Sequence, residues 1–197
     1  MKHHKLLLLF LVIIFFTVFT AFQVTGISLP AETKIQKTQT GEVALYNVQM
    51  GDPFIFSEGD TYYLYGTSSD EGIEVFTSKD LIHWDGPMGV TDGLALHRND
   101  VFGEKWFWAP EVYKFQGKYY MFYSAEEHIA VAVSSSPLGP FTQEKQVPLI
   151  TTKAIDTHLF IDDDGKKYLY YVAFSNGNVI WMCEMNDDLL SIKPETV

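Results

Sequence analysis

The sequence predicts an all-β protein built from repeated antiparallel hairpins. Aromatic residues make up 15% and apolar residues 47% of the 197-residue chain, which is enough for a substantial core. Short aromatic and β-branched runs alternate with turns of Gly, Asp and Ser, and few segments show helical spacing. One order of motifs also recurs three times, at intervals of 109 − 52 = 57 and 156 − 109 = 47 residues.

The first repeat opens with Asp52 and Pro53, directly before a predicted hairpin. Residues 54–56 form a short apolar strand, residues 57–60 supply turn chemistry, and residues 61–65 form a second strand. Pro53 has no amide hydrogen and restricts the preceding residue to extended backbone. We therefore expect an extended Asp52 at the entrance of the first strand, where its carboxylate can face a cleft. The alternative is a simple turn residue.

Two further repeats follow the same order. Residues 109–124 align with residues 52–67 without a gap, and a third copy begins at Asp156. An alternating strand and a turn towards a closing strand come after each hairpin. This period predicts a β-propeller of four-stranded blades at about residues 48–100, 101–150 and 151–197. Because innermost strands line one channel, the residues that begin them converge on one mouth.

The N-terminus is typical of a signal peptide. A basic start at residues 2–5 precedes an apolar run of about 17 residues, from residue 6 to residue 22. We assign residues 1–26 to the signal and residues 27–44 to a polar linker, and we expect an exported protein. An uncleaved membrane anchor is the alternative, because the run is near the lower limit for a helix that spans a bilayer.

Charge and motif content exclude several functions. The net charge of −11 argues against nucleic acid and anionic membrane as partners, because a phosphate backbone requires clustered Lys and Arg. The sequence contains no phosphate-binding loop, dinucleotide glycine pattern or serine-nucleophile motif, which disfavours nucleotide chemistry and serine hydrolysis. The single cysteine, Cys183, permits no intrachain disulfide, and its alternating strand places it in the predicted core.

We expect no metal ion and no cofactor from these residues. The acidic run at residues 162–165 lacks the later ligands of a calcium loop and predicts a hairpin turn. A structural calcium in the channel of a complete propeller stays open as an alternative. Three blades do not close a propeller, which typically needs four or more. An open stack leaves unpaired edges and exposed apolar faces, so we expect these residues to be part of a longer protein.

Three motifs in order resemble glycoside hydrolase family 43, over roughly residues 45–197. The motifs are Asp52-Pro53-Phe54 with Tyr62-Tyr63-Leu64, then Trp108-Ala109-Pro110-Glu111-Val112 with Gly117-Lys118-Tyr119-Tyr120, then Ile155-Asp156 with the run from Phe160 to Lys166. The resemblance implies a five-bladed β-propeller. It also implies an inverting hydrolase whose substrates are arabinose-, xylose- or galactose-containing plant oligo- or polysaccharides.

The resemblance further implies three acidic residues with separate roles. Asp52 matches the general base that activates water, and Asp156 matches the Asp that orients the acid and tunes its pKa. The general acid is a Glu of the fourth blade, and no residue here matches it, since Glu184 and Glu195 lie in the third blade and the turn beyond it. An inverting glycosidase needs two carboxyl groups about 6.5–9.5 Å apart in different protonation states. Separate inner strands can supply that spacing.

Trp108, Glu111 and His158 are further candidates for substrate binding. Trp108 can pack against the apolar face of a sugar ring, with a core tryptophan as the alternative. Glu111 is a candidate hydrogen-bonding residue of the cleft, and regular strand alternation places His158 on the same face as Asp156. The competing function is a non-catalytic propeller that binds carbohydrate at its channel mouth. The preferred sugar and the choice between exo and endo action depend on loops around that channel.

Overall fold

The computed structural model describes residues 48–197, and within this range the chain is all-β, as predicted. The strands are β1 (Gly51–Glu58), β2 (Thr61–Thr67), β3 (Gly72–Ser78), β4 (Leu94–His97), β5 (Trp108–Phe115), β6 (Lys118–Ala125), β7 (His128–Ser134), β8 (Ala154–Ile161), β9 (Lys167–Phe174) and β10 (Asn178–Glu184). Two short 3-10 helices lie at Arg98–Asp100 and Pro194–Thr196. The predicted signal peptide and linker lie outside the described residues.

Each sheet begins with one of the predicted hairpins. The first loop has two residues, Gly59 and Asp60, and Gly59 has a φ of 60°, as the first position of a type II′ turn requires. In the second loop Gln116 and Gly117 have φ values of 48° and 79°, which is the geometry of a type I′ turn. The acidic run at residues 162–165 forms the third turn, between β8 and β9.

The strands form three antiparallel sheets, ordered β1-β2-β3-β4, β5-β6-β7 and β8-β9-β10. The prediction of four strands in every blade is wrong for the second and third sheets. There the fourth strand is reduced to single bridges, Val133 with Thr142 and Met185 with Ile192. In the second sheet Pro140 has no amide hydrogen to extend the pairing. In the third, residues 186–191 turn the chain back, and the pairing ends because the 3-10 helix Pro194–Thr196 follows almost directly after Ile192.

The sheets pack face to face, with the first strand of each against the first strand of the next. Strand β1 lies against β5, and β5 lies against β8. The second sheet is buried on both faces: Met121 and Tyr123 pack towards the first sheet, and Tyr120 and Phe122 pack towards the third. This strict alternation along β6 follows from the two-residue period of a strand. Cys183 is fully buried in the cluster against the third sheet, as predicted.

None of the helices within residues 48–197 is long and apolar enough to cross a membrane.

Candidate active site

The three sheets carry the same backbone irregularity near the start of their first strand. The register of β1 with β2 shifts between Gly51 and Phe54, and β5 and β8 shift at the corresponding places. The first of the two residues inside each shift has positive φ: 47° at Asp52, 44° at Ala109 and 56° at Asp156. These are β-bulges, which redirect a side chain and occur often beside active sites. The repeat therefore places the carboxylates of Asp52 and Asp156 and the methyl group of Ala109 at equivalent positions.

The expected extended backbone of Asp52 is wrong, because its φ of 47° lies in the left-handed region. The residue before a proline is kept out of the right-handed helical region. Asp is one of the few residues that tolerates the left-handed alternative. The left-handed conformation lets the bulge place one extra residue outside the hydrogen-bond ladder. An Asp before a proline is compatible with either an extended or a left-handed backbone, so the sequence alone does not decide between them.

A hydroxyl group connects Asp52 to the next sheet. Thr67 ends β2 opposite Gly51, and its hydroxyl donates a hydrogen bond of 2.7 Å to Oδ2 of Asp52. The Thr67 hydroxyl oxygen also accepts the amide hydrogen of Ala109, at 3.0 Å. The side chain of Thr67 therefore bonds to both of the first two bulges, and it holds the carboxylate of Asp52 against the start of β5.

The second and third sheets repeat this connection. Ser124 lies near the end of β6 opposite Trp108, and its hydroxyl accepts the amide hydrogen of Asp156 at 3.2 Å. Thr67 and Ser124 were not predicted as site residues. Their spacing was a usable signal, since 124 − 67 = 57 is also the interval between Asp52 and Ala109.

The structure brings Asp52 and Asp156 into electrostatic contact. Both residues are exposed. Partial burial of its carboxyl group raises the pKa of Asp156, and the negative charge of Asp52 raises that pKa further. A carboxyl group that keeps its proton more readily than usual is therefore placed beside a second carboxylate.

Glu111 and His158 meet in a cluster organised by Tyr113. The Tyr113 hydroxyl donates to Glu111 and accepts the amide hydrogen of Leu159 at 3.2 Å. Nδ1 of His158 lies 3.2 Å from Oε2 of Glu111 and 3.4 Å from the Tyr113 hydroxyl. Burial, together with the bond to Glu111, raises the pKa of the Tyr113 phenol, so it stays protonated and donates. The cluster ties β5 to β8.

The bulge in β8 interrupts the regular alternation on which the predicted position of His158 depends. Regular alternation does not hold across the register shift between Ile155 and His158. Both Asp156 and His158 are nevertheless exposed, while Thr157 between them is buried. His158 is thus accessible from solvent, with its ring held beside Glu111.

Trp108 lies half-buried at the start of β5 and stacks on a second tryptophan. The ring centroids of Trp106 and Trp108 are 5.6 Å apart and their planes differ by 15°. The Lys105 ammonium lies 4.2 Å from the centre of the Trp106 ring. Trp106 was not predicted as a site residue, although its spacing of two from Trp108 was visible in the sequence.

A cleft of about 220 Å³ adjoins Trp108. Its lining residues are Thr67, Ser68, Ser69, Asp70, Phe107 and Trp108. A larger cavity of about 750 Å³ lies elsewhere, between β6, β7 and the loop around residue 147, and includes none of the predicted site residues. The smaller cleft is the relevant one, because it shares Thr67 with the Asp52 carboxylate.

No metal-binding cluster of three or more His, Cys, Asp or Glu side chains is found within residues 48–197.

Comparison with known proteins identifies the family. The model of the family described as "Glycosyl hydrolases family 43" matches residues 44–197. A xylosidase/arabinosidase 43A from Humicola insolens is 37% identical over 102 residues, covering 48% of this chain and 31% of that protein. The extracellular exo-α-(1→5)-L-arabinofuranosidase ArbA from Cellvibrio japonicus is 28% identical over 161 residues, covering 72% of this chain and 45% of that protein.

Solved structures agree with this assignment. An endo-1,4-β-xylanase from Bacteroides thetaiotaomicron superposes with a TM-score of 0.69 at 50% identity, over 75% of this chain and 50% of that one. An endo-arabinase from the same organism gives a TM-score of 0.67 at 27% identity, over 76% and 55%. The chain thus spans between about a third and just over half of these proteins. It belongs to family 43 of the glycosyl hydrolases.

Proposed function

We propose that the protein hydrolyses glycosidic bonds in arabinan, xylan or galactan by an inverting acid/base mechanism. The observation that carries this proposal is that Asp52 and Asp156 occupy equivalent β-bulges near the starts of β1 and β8 and are both exposed, with the charge of Asp52 raising the pKa of Asp156. The family assignment supports it, as do relatives named for action on arabinan and xylose- or arabinose-containing substrates.

In this proposal Asp52 is the general base. Its carboxylate is exposed to solvent and oriented by the Thr67 hydroxyl, so one oxygen is fixed while the other is available to a water molecule. A positioned base of this kind contributes about 10²–10⁴-fold to a rate. The attacking water would approach the anomeric carbon from the side opposite the leaving oxygen, as inversion requires.

Asp156 is proposed to orient the general acid and to raise its pKa by like-charge repulsion. The amide of Asp156 is anchored to Ser124, so the carboxyl group is presented from a fixed backbone position. Neither glutamate after Asp156 suits the role of the acid. Glu184 forms an ion pair with Lys193, and Glu195 lies in the short helix Pro194–Thr196.

No residue of this sequence matches the general acid of the family. We therefore expect the 197-residue chain alone to be slower by about 10²–10⁴-fold than a protein that supplies a positioned proton donor. Aryl glycosides with good leaving groups depend less on that donor and are the substrates on which residual activity should first appear.

Trp108, Glu111 and His158 are proposed as substrate-binding residues. Trp108 presents an indole ring beside the cleft, and the glutamate and histidine present a carboxylate and an imidazole on β5 and β8. We also propose that the three sheets are consecutive blades of a five-bladed propeller, since β1, β5 and β8 pack in series through repeated hydroxyl links.

We further propose that the protein is exported. The basic and apolar N-terminal pattern supports this, and the relative from Cellvibrio japonicus is named as an extracellular enzyme. N-terminal sequencing of secreted protein should begin near residue 27, whereas retention of residues 1–26 would support the anchor.

The experiment that tests the proposed function uses the product of the complete reading frame that contains these 197 residues, called the full-length protein below. Its hydrolysis of arabinan, xylan and β-1,3-galactan is measured. Reducing ends should appear with at least one polysaccharide, and proton NMR of the first product should show the anomer opposite to that of the substrate. Binding of the same polysaccharides without any release of reducing ends would favour a non-catalytic carbohydrate-binding protein instead.

A further inference from the structure

The bulge in β8 receives two hydrogen bonds from the second sheet. It places two residues, Asp156 and Thr157, where the paired strand β9 has one. Because a bulge interrupts the ladder between strands, its backbone needs other partners to keep one position. The Ser124 hydroxyl accepts the amide hydrogen of Asp156 at 3.2 Å, and the Tyr113 hydroxyl accepts that of Leu159 at 3.2 Å. One bond therefore lies on either side of the bulge.

The direction of the Tyr113 hydroxyl is fixed by its surroundings. The ring contacts Phe54 of the first sheet and Phe122 of β6, with centroids 6.0 Å away in each case. Burial and the bond to Glu111 raise the pKa of the phenol, so the hydroxyl stays protonated and donates its hydrogen to Glu111. The oxygen of the same hydroxyl is then oriented to accept the amide hydrogen of Leu159.

The repeat shows that packing alone does not require this hydroxyl. Phe56 lies 57 residues before Tyr113 and Phe160 lies 47 residues after it, so the three residues occupy equivalent positions in the three sheets. Phe56 belongs to the sheet that packs against the bulge with the methyl group of Ala109, whereas Tyr113 belongs to the sheet that packs against the bulge of Asp156. The hydroxyl is thus added where the facing bulge carries a carboxyl group.

We propose that Tyr113 is a positioning residue for Asp156, and that the hydroxyl groups of Tyr113 and Ser124 together form a clamp on the bulge of β8. Ser124 fixes the start of the bulge, and Tyr113 fixes the strand just after it. The clamp acts through backbone amides and keeps the Asp156 carboxyl group at one distance from Asp52. This inference rests on the proposed function, in which Asp156 orients the general acid and tunes its pKa.

Carbon-13 NMR titration of Asp156 in the full-length protein tests the clamp without turnover. Burial of the carboxyl group and the charge of Asp52 raise the pKa of Asp156, and both effects depend on where the carboxyl group is held. In Tyr113→Phe, and separately in Ser124→Ala, we expect this pKa to fall towards the ordinary value of an aspartate. A released bulge exposes the carboxyl group to more water and lets its distance from Asp52 vary.

Tyr65→Phe is the matched control. It also removes a buried tyrosine hydroxyl, which donates to the Pro137 carbonyl at 2.6 Å. It should lower the Tm and leave both the pKa of Asp156 and kcat unchanged. In Tyr113→Phe we expect kcat to fall about fivefold with KM unchanged, because the lost hydrogen bond positions a group that acts in the transition state.

Three results would overturn the inference. They are a wild-type pKa of Asp156 in Tyr113→Phe, a wild-type pKa of Asp156 in Ser124→Ala, and an equal fall of that pKa in Tyr65→Phe. Ser124→Ala decides the question alone if Tyr113→Phe does not fold. If the pKa changes occur as expected but the wild-type protein hydrolyses no polysaccharide, the clamp stands and the proposed function fails.

Discussion

The Thr67 hydroxyl donates a hydrogen bond of 2.7 Å to Asp52 while it accepts the amide hydrogen of Ala109. One side chain of the first sheet thereby fixes both the candidate base and the start of the next sheet. Ser124 repeats half of this arrangement towards Asp156. The relative position of the two bulge carboxylates is therefore determined by hydroxyl groups at the ends of the second strands as well as by sheet packing.

Replacing Thr67 by valine should reduce turnover with little change in substrate affinity. The substitution keeps the shape and removes the hydrogen bonds to Asp52 and from Ala109. A hydrogen bond to a charged group contributes about 1.5 kcal/mol or more, so we expect kcat to fall about tenfold. Steady-state kinetics of the full-length protein provide the measurement. Thr77→Val, in β3 opposite Tyr63, is the matched control. Equal kcat values for Thr67→Val and the control would remove the hydroxyl from the mechanism.

The pKa of Asp156 should respond to substitution of Asp52. Because the charge of Asp52 contributes to the raised pKa of Asp156, Asp52→Asn should lower that pKa, and the part caused by burial should remain. Carbon-13 NMR titration of the aspartate carboxyl groups measures the shift, with Asp163→Asn as the control. An Asp156 pKa that is the same in wild type and Asp52→Asn would show that the two groups do not interact.

The same shift predicts how stability depends on pH. The folded state holds the proton of Asp156 more tightly than the unfolded state, since its folded pKa is raised. This contribution stabilises the fold below the unfolded pKa and is lost as pH rises through the folded pKa. Asp156→Asn should therefore raise the Tm at pH 7 and have no such effect at pH 3. A lower Tm at pH 7 would contradict this account of the carboxyl group.

Tyr113→Phe should destabilise the protein. It removes a donor to Glu111 and an acceptor for the Leu159 amide in a half-buried position, so we expect a loss of about 1–3 kcal/mol. Denaturant unfolding of Tyr113→Phe and of Tyr62→Phe, which removes a hydroxyl from β2, provides the comparison. Equal midpoints for the two variants would mean that the cluster with Glu111 and His158 contributes nothing to the joining of β5 and β8.

Cys183 should be unreactive in the folded protein. Burial raises the pKa of its thiol to about 11, so only about one thiol in a thousand is ionised at pH 8. A thiol reagent should modify Cys183 only after denaturation, whereas an added thiol in Ser135→Cys, at an exposed site, should react at once. Reaction of both thiols at one rate would contradict the packing of the third sheet on the second.

Much of the fold follows from local patterns. The hairpins, the strands after them and the burial of Cys183 were predictable because a two-residue apolar period and Gly-containing turns leave few alternatives. The alignment of Asp52 with Ala109 and Asp156 also came from spacing alone. The fourth strands could not be predicted, because single bridges such as Val133 with Thr142 depend on where neighbouring loops pack.

The conformation of the candidate site was less predictable. Nothing in the sequence distinguishes an extended Asp before proline from one in the left-handed region, and the choice at Asp52 depends on the register of β1 with β2. Thr67 bonds the Asp52 carboxylate and Ser124 bonds the Asp156 amide, and both hydroxyl groups come at or near the ends of otherwise ordinary strand patterns. Trp106 was missed for a similar reason, since its significance comes from stacking on Trp108 across a strained turn.

Asp52 is proposed as the base of an inverting glycosidase, and one substitution tests this role most directly. Turnover and oligosaccharide affinity are measured for Asp52→Asn in the full-length protein. We expect hydrolysis to fall by at least about 10²-fold while affinity for the oligosaccharide stays within a few-fold of wild type. Turnover equal to that of the wild type would contradict the account.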